Sequence, residues 1–403
     1  MATGKAHIKK EMLKWARQET GLSPQAAAEA AGISGVKGKT GGQRIEEWET
    51  TDVLDVLPTK NQLASLAKAY VQPTVLFYLP GPPAQDEVLP DFRKLNPDEQ
   101  GMSPRLKSLV AKMRARQDEV IDILAEDEEE QPEPLPFIGR FSLKTPLRHF
   151  VTDLRSTLGV SEADQRSLRD NDALFRLLRT RAEDLGIYII VQGDLGSYHS
   201  SIDPNEFRGF CLADPIAPFI VLNSYDAKPA QSFTLIHELA HLWMNESGIS
   251  NANPFNGNEG EAQVESFCNK VASHFLMPPA SLLAAWRVLK GMDLYRAVGE
   301  LARDFSVSRR AVAYRLRMHD ELSFNDWKTL SDQFQRDWET YKAKQKEGDG
   351  GPSRYTLQKY QLGKRFVGTI LGALDAGSLG YTSASRILGV PSKGFSKIRP
   401  EGL

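Results

Sequence analysis

Residues 233–243 read Phe233-Thr-Leu-Ile-His237-Glu238-Leu-Ala-His241-Leu-Trp243, and the rest of the chain takes its meaning from them. Two histidines four positions apart fall on one helix face, a turn apart, close enough to share an ion. Glu238, beside the first histidine, reaches a water on that ion. This H-E-x-x-H spacing is the one zinc peptidases use, in which the ion acidifies a water and the glutamate takes its proton. The surroundings fit that chemistry. Leu235, Ile236, Leu239, Ala240, Leu242 and Trp243 make the stretch apolar on every side, the mark of a buried helix rather than a surface one. Two histidines and a glutamate buried without partners would be costly, and an ion removes that cost.

A catalytic zinc takes three protein ligands and keeps a fourth position for water. A helix that follows and turns back to the site must supply the third. Residues 261–278 read Glu261-Ala-Gln-Val-Glu265-Ser-Phe-Cys-Asn269-Lys-Val-Ala-Ser-His274-Phe-Leu-Met-Pro278. Val264, Phe267, Cys268, Val271, Ala272 and Phe275 recur there at helical spacing, and Pro278 with Pro279 stops the run. Glu265 lies between core positions and shares its face with Asn269, one turn on. Glu261, one turn earlier, competes for the same role. His274 stands near the helix end, where a lone histidine is more often structural.

Four segments occur in a telling order: Phe207-Arg-Gly-Phe210, Pro218-Phe-Ile-Val-Leu-Asn223, Phe233 to His241, and Glu265-x-x-x-Asn269-x-x-Ala272 with Phe275-Leu-Met-Pro278. Together they resemble the ImmA/IrrE family of metallopeptidases. The resemblance implies a zinc-dependent endopeptidase with Glu265 as the third ligand. It also implies a protein substrate that is typically a transcriptional repressor of the helix-turn-helix type. One departure is Phe-Cys-Asn at 267–269, where many relatives carry a small residue before the asparagine. That change leaves the ligand set untouched.

Length and composition bound the remaining possibilities. A chain of 403 residues has room for two or three domains with their own cores. A formal net charge of −2 excludes bulk attraction to nucleic acid, so any DNA contact must come from a local patch. Two cysteines, Cys211 and Cys268, are too few for a disulfide framework and suit a reducing cytoplasm. The first ten residues lack the apolar run of a signal peptide, and no apolar run elsewhere reaches the length of a membrane span. A soluble, cytoplasmic protein with no membrane partner is expected.

In chain order, residues 1–85 read as a small all-helical domain. Pro24-Gln-Ala-Ala-Ala-Glu-Ala-Ala31, a turn at Gly32-Ile-Ser34 and a helix ending in Trp48-Glu49 resemble the helix-turn-helix of XRE-like, phage-repressor-type regulators. The charge of that domain argues against a strong DNA reader. Residues 1–80 carry ten Lys and Arg against eight Asp and Glu, and Lys37, Lys39 and Arg44 are a thin supply for phosphate contacts. A protein-docking role is at least as well founded. Residues 86–136 read as a helical connector followed by an acidic, proline-rich linker, to which no chemistry is assigned.

The peptidase domain is placed at 137–330. Helices are expected over 146–158 and 171–185, and strands over 187–191, 207–212 and 219–223. The fold class is therefore mainly α with a small β-sheet, an α+β zincin-like arrangement beside the helix-turn-helix domain. The loop 193–205 carries Tyr198 and His199, either of which can stabilise a developing oxyanion, although an ordinary polar loop is the simpler reading of each. Residues 294–318 form a second helix-turn-helix pattern, read as part of the peptidase shell. Residues 331–403 form a basic helical C-terminal region; from 341 onward eleven Lys and Arg face four Asp and Glu, a net +7. DNA or an acidic protein is its expected partner, and no oligomeric state is implied. The expected function is zinc-dependent cleavage of a specific intracellular protein, a repressor or antitoxin, in a stress or phage response. The competing expectation is a DNA-binding regulator with a structural or sensory metal, or a toxin–antitoxin component.

Overall fold

Short polar side chains ahead of apolar runs set the N-terminal helices. The computed structural model describes residues 4–36, 38–51, 53, 56–70, 72, 74–81, 102–126, 132–196, 200–250, 263–345 and 353–400. Within it α1 (Lys10–Glu19), α2 (Pro24–Ala31), α3 (Gly41–Thr50) and α4 (Lys60–Ala69) form a first unit with a 3-10 turn at Thr74–Tyr78. Ser23 accepts the Ala26 N–H to start α2, while Thr40/Gln43 and Thr59/Gln62 form reciprocal capping boxes on α3 and α4. Leu13, Ala16, Ala27, Ile45, Trp48, Leu63 and Phe77 meet in its core. Arg17 clamps α1 to α3, giving Nε and Nη2 to the two oxygens of Glu49 at 2.7 and 2.8 Å. On α3, Arg44 donates to the Ser34 carbonyl and lies over the Trp48 ring, and Lys39 holds Glu47. Gln43, Glu46 and Thr50 are what α3 exposes. Lys37, the linker at 127–131 and most of the connector at 82–101 lie outside the described residues.

α5 (Pro104–Ala125) gives its first residues to this unit and the remainder to the second. The second unit continues with α6 (Leu147–Leu158), α7 (Glu162–Arg166), α8 (Asn171–Asp184), β1 (Tyr188–Val191), β2 (Gly209–Leu212), β3 (Phe219–Leu222), α9 (Lys228–Trp243), β4 (Gly248–Ser250) and α10 (Gln263–Leu276). It ends with α11 (Pro279–Leu289), α12 (Leu294–Asp304), α13 (Arg309–Met318), α14 (Phe324–Gln345), α15 (Arg354–Leu362), α16 (Lys364–Ala376), α17 (Tyr381–Leu388) and α18 (Phe395–Ile398). The fold is mainly α with one small mixed sheet. Strand order is β1-β3-β2-β4, with β1 parallel to β3 and the other pairs antiparallel.

Three of the four strands are short apolar runs buried on both faces, so they read as strands from sequence. The exception is β4, whose Gly-Ile-Ser is too short to announce itself. α9 lies against β2 and β3 and is covered by α8 and α10, which explains why every residue from Gln231 to Trp243 is buried.

The C-terminal helices pack on the sheet rather than standing apart. Thr369 of α16 bonds the Tyr188 hydroxyl at 3.2 Å, Arg365 covers the Tyr188 ring, and Phe366 meets Phe219 edge-on at 5.9 Å. Arg179 donates to the carbonyls of Ile189 and Tyr360, joining α8, β1 and α15. Between α15 and α16, Gly363 has φ +77°, and a Cβ there would lie 2.3 Å from Glu183 Oε1. Much of the basic excess of this region is engaged internally. Lys364 pairs with Asp184, Arg386 with Glu119, Arg399 with Asp375, and Lys397 sits over Tyr355.

The second helix-turn-helix pattern is built into this unit. α13 buries Ala311, Val312, Ala313 and Leu316, and α14 packs on it. Its Arg309 lies over Tyr295 and Phe334, Arg310 donates to Gln335, and Arg317 to Asp320. Among the described residues no helix is long and apolar enough to cross a membrane.

Candidate active site

The middle of α9 and the first half of α10 face each other, and three side chains converge between them. His237 Nε2 and His241 Nε2 are 3.1 Å apart. Glu265 brings Oε1 to 2.9 Å from His241 Nε2 and Oε2 to 3.2 Å from His237 Nε2. All three residues are buried, and together they form a cluster able to hold a metal ion. The donor geometry tests that fit. A tetrahedral ion with bonds of about 2.0–2.1 Å places its ligands about 3.3 Å apart, and the three separations, the two to Glu265 running to different carboxylate oxygens, come within a few tenths of an ångström of that. Burial works against the charge of Glu265. The two neighbouring histidines, His237 foremost, nevertheless hold its carboxyl below the ordinary range.

The orientation of His237 is set from outside the triangle. Its Nδ1–H donates to Asn269 Oδ1 at 3.0 Å, which leaves the Nε2 lone pair for a metal. Asn269 shares the Glu265 face of α10, as the sequence spacing implies, but its bond to a residue 32 positions away could be seen only in the folded chain. Glu238 is fully buried and points to the sheet side of α9. There Gly209, at the start of β2, allows the approach: a Cβ at that position would lie 2.8 Å from Glu238 Oε1 and 2.7 Å from Thr234 Cγ2. So the Phe-Arg-Gly-Phe segment contributes a gap, not a reactive group.

Both cysteines border the site. Burial, and then the charge of Glu238, pushes the Cys211 thiol well above its ordinary range; at Cys268 burial acts first and Glu265 second. Cys211 donates to the Glu246 carbonyl at 3.1 Å. Tyr198, His199 and the competing Glu261 lie outside the described residues. His274 is on the opposite side of α10 from Glu265, half-buried, with Nδ1 bonded to the Lys270 carbonyl at 2.8 Å.

A buried His-His-Glu triangle with a glutamate next in chain to its first histidine is the arrangement of a metallopeptidase. Residues 182–317 match the family model Peptidase_M78, the IrrE N-terminal-like domain, which supports the ImmA/IrrE family. No curated protein matches the chain at a significant level.

Proposed function

We propose that the protein is a zinc-dependent endopeptidase that cleaves a specific intracellular protein, a helix-turn-helix repressor or an antitoxin, in a stress or phage response. One observation carries this reading: His237, His241 and Glu265 form a buried cluster able to hold a metal ion, with Glu238 next in chain to the first of them. A set of two imidazole nitrogens and one carboxylate suits zinc, which when bound supplies a Lewis acid and a water of lowered pKa. Asn269 orients the first histidine. Glu238 accepts the proton of the attacking water and passes it to the leaving amine nitrogen. β4 is the strand at the sheet edge beside β2, and its main-chain groups are those to which an extended substrate segment can add.

The N-terminal unit, in this reading, docks protein rather than reading DNA. Arg44 and Lys39 are engaged within the unit, and the outward face of α3 offers Glu46 between Gln43 and Thr50. Phosphate contacts need free cationic side chains on that face.

The test is Glu238→Gln, which keeps size and loses the base. Cells expressing the wild type and the variant are compared by proteomics of newly formed protein N-termini, and the zinc content of both proteins is measured. Cleavage of the natural partner should fall roughly 10²–10⁴-fold at equal zinc content, and the uncut partner should be captured with the variant. Identical cellular effects of the two proteins, with zinc retained in both, would overturn the enzyme and leave a regulator with a structural metal.

A further inference from the structure

Arg315 on α13 has 8% of its surface exposed, and its Nε and Nη2 are buried without a hydrogen bond. Those two nitrogens form one edge of the guanidinium, the fork that takes both oxygens of a carboxylate or phosphate. At two other arginines the same edge is filled. Arg17 gives its Nε and Nη2 to Glu49, and Arg166 gives the same pair to Asp304. Among the described residues no carboxylate answers the charge of Arg315.

A second unbonded group stands beside it. His319 closes α13 one turn later, its backbone N–H donating to the Arg315 carbonyl at 3.2 Å, so the two side chains share a face. His319 Nε2 is buried and makes no hydrogen bond. His274 of α10 lies within electrostatic range of both. Arg315 and His319 therefore share one partly buried face, with His274 within electrostatic range of it. A buried cation with no counter-charge costs several kcal/mol, and buried polar groups left open in a native fold call for a water or an ion. Water would satisfy the N–H groups but not the charge.

We propose that Arg315, His319 and His274 bind a small oxyanion, seated with two coplanar oxygens on the Nε–Nη2 edge of Arg315. The charge environment agrees. Burial, and then the charge of Arg315, lowers the proton affinity of both rings. At His274 the bond to the Lys270 carbonyl opposes this while the charges of His319 and Lys270 add to it, and at His319 Glu321 and Asp320 oppose it. An arriving anion offsets the Arg315 charge and draws protons onto the rings. The site is separate from the His-His-Glu cluster, so its test does not depend on the peptidase reading.

The experiment uses the full chain in chloride buffer. Inorganic phosphate is added in one arm and acetate in the other, at matched ionic strength. The ring signals of His274 and His319 are followed by NMR, assigned with His274→Gln and His319→Gln, and the thermal midpoint is recorded. A saturable change in both rings is expected, with a rise in midpoint of roughly 2–4 °C. A response to phosphate alone assigns a phosphate-type ligand, and a response to acetate alone assigns a carboxylate. Arg315→Met should abolish the response, and because an apolar replacement for an unpaired buried charge is usually neutral or stabilising, it should still fold. His319→Gln should weaken binding about tenfold, and it decides the matter if Arg315→Met does not fold. No saturable response in the wild type, or equal affinity in the wild type and the variants, overturns the site.

Discussion

The two ends of α10 bury polar side chains for opposite reasons. At the N-terminal end Glu265 and Asn269 meet His237 and His241, and the inward-facing atoms of the triangle are Lewis bases that ask for a cation. At the C-terminal end His274 lies near Arg315 and His319, and the open atoms there include the donors of a guanidinium. One helix thus carries an acceptor-rich cluster and a donor-rich cluster on opposite faces. The sign of a buried site follows from which half of its hydrogen-bonding capacity the chain leaves open, not from how many polar residues it contains.

Mutations at each end test that contrast. The largest effect is expected for Glu265→Ala, which removes one corner of the triangle. Zinc affinity should fall by more than the roughly 100-fold that an outer-shell partner accounts for, while Glu261→Ala should leave it unchanged. Competition with a chelator measures both, and the reverse pattern would move the third ligand to Glu261. Asn269→Ala should be intermediate. It removes only the acceptor that orients His237, so zinc affinity should drop about 10–100-fold with the fold intact. Affinity equal to wild type would show that packing alone positions the ring.

The smallest effect belongs to the other end. His274 and His319 bind protons less readily in the folded chain than the ordinary value of 6.5. Below that pH the unfolded chain takes up more protons, so this contribution to stability is present above it and is lost as pH falls. In chloride buffer, His319→Gln should therefore lose less stability than the wild type between about pH 7.5 and 5.5. The difference should stay well under about 1 kcal/mol, because solvent screens a ring this exposed. Thermal midpoints across that range check it, and parallel curves would contradict the lowered proton affinity of His319.

Much of the metal cluster was legible because H-E-x-x-H encodes its geometry locally: a four-residue step on a helix is a distance. Glu265 was harder. A carboxylate at 265 and another at 261 share a face, and the spacing did not separate them without the resemblance. The roles of Asn269 and Gly209 were hidden, since each acts on a residue of α9 that only packing brings near. The strands at 188–191, 209–212 and 219–222 showed themselves as short apolar runs, whereas β4 exists only because β2 offers it an edge. α13 read as part of the shell from its pattern, but which neighbours cover its charges was hidden, because sequence records charge and not packing.

The junction at Gly363 bears on how such a chain can be shuffled. The family match ends at residue 317, yet β1 leans on α15 and α16, which lie beyond it. Thr369, Arg365 and Phe366 reach back to Tyr188 and Phe219 across the turn that Gly363 permits. A recombination breakpoint just after 317 would strand two aromatic rings of the sheet in solvent. The catalytic cassette that natural fusion could move intact is therefore longer than its most recognisable segment, and runs to the end of α16 at least.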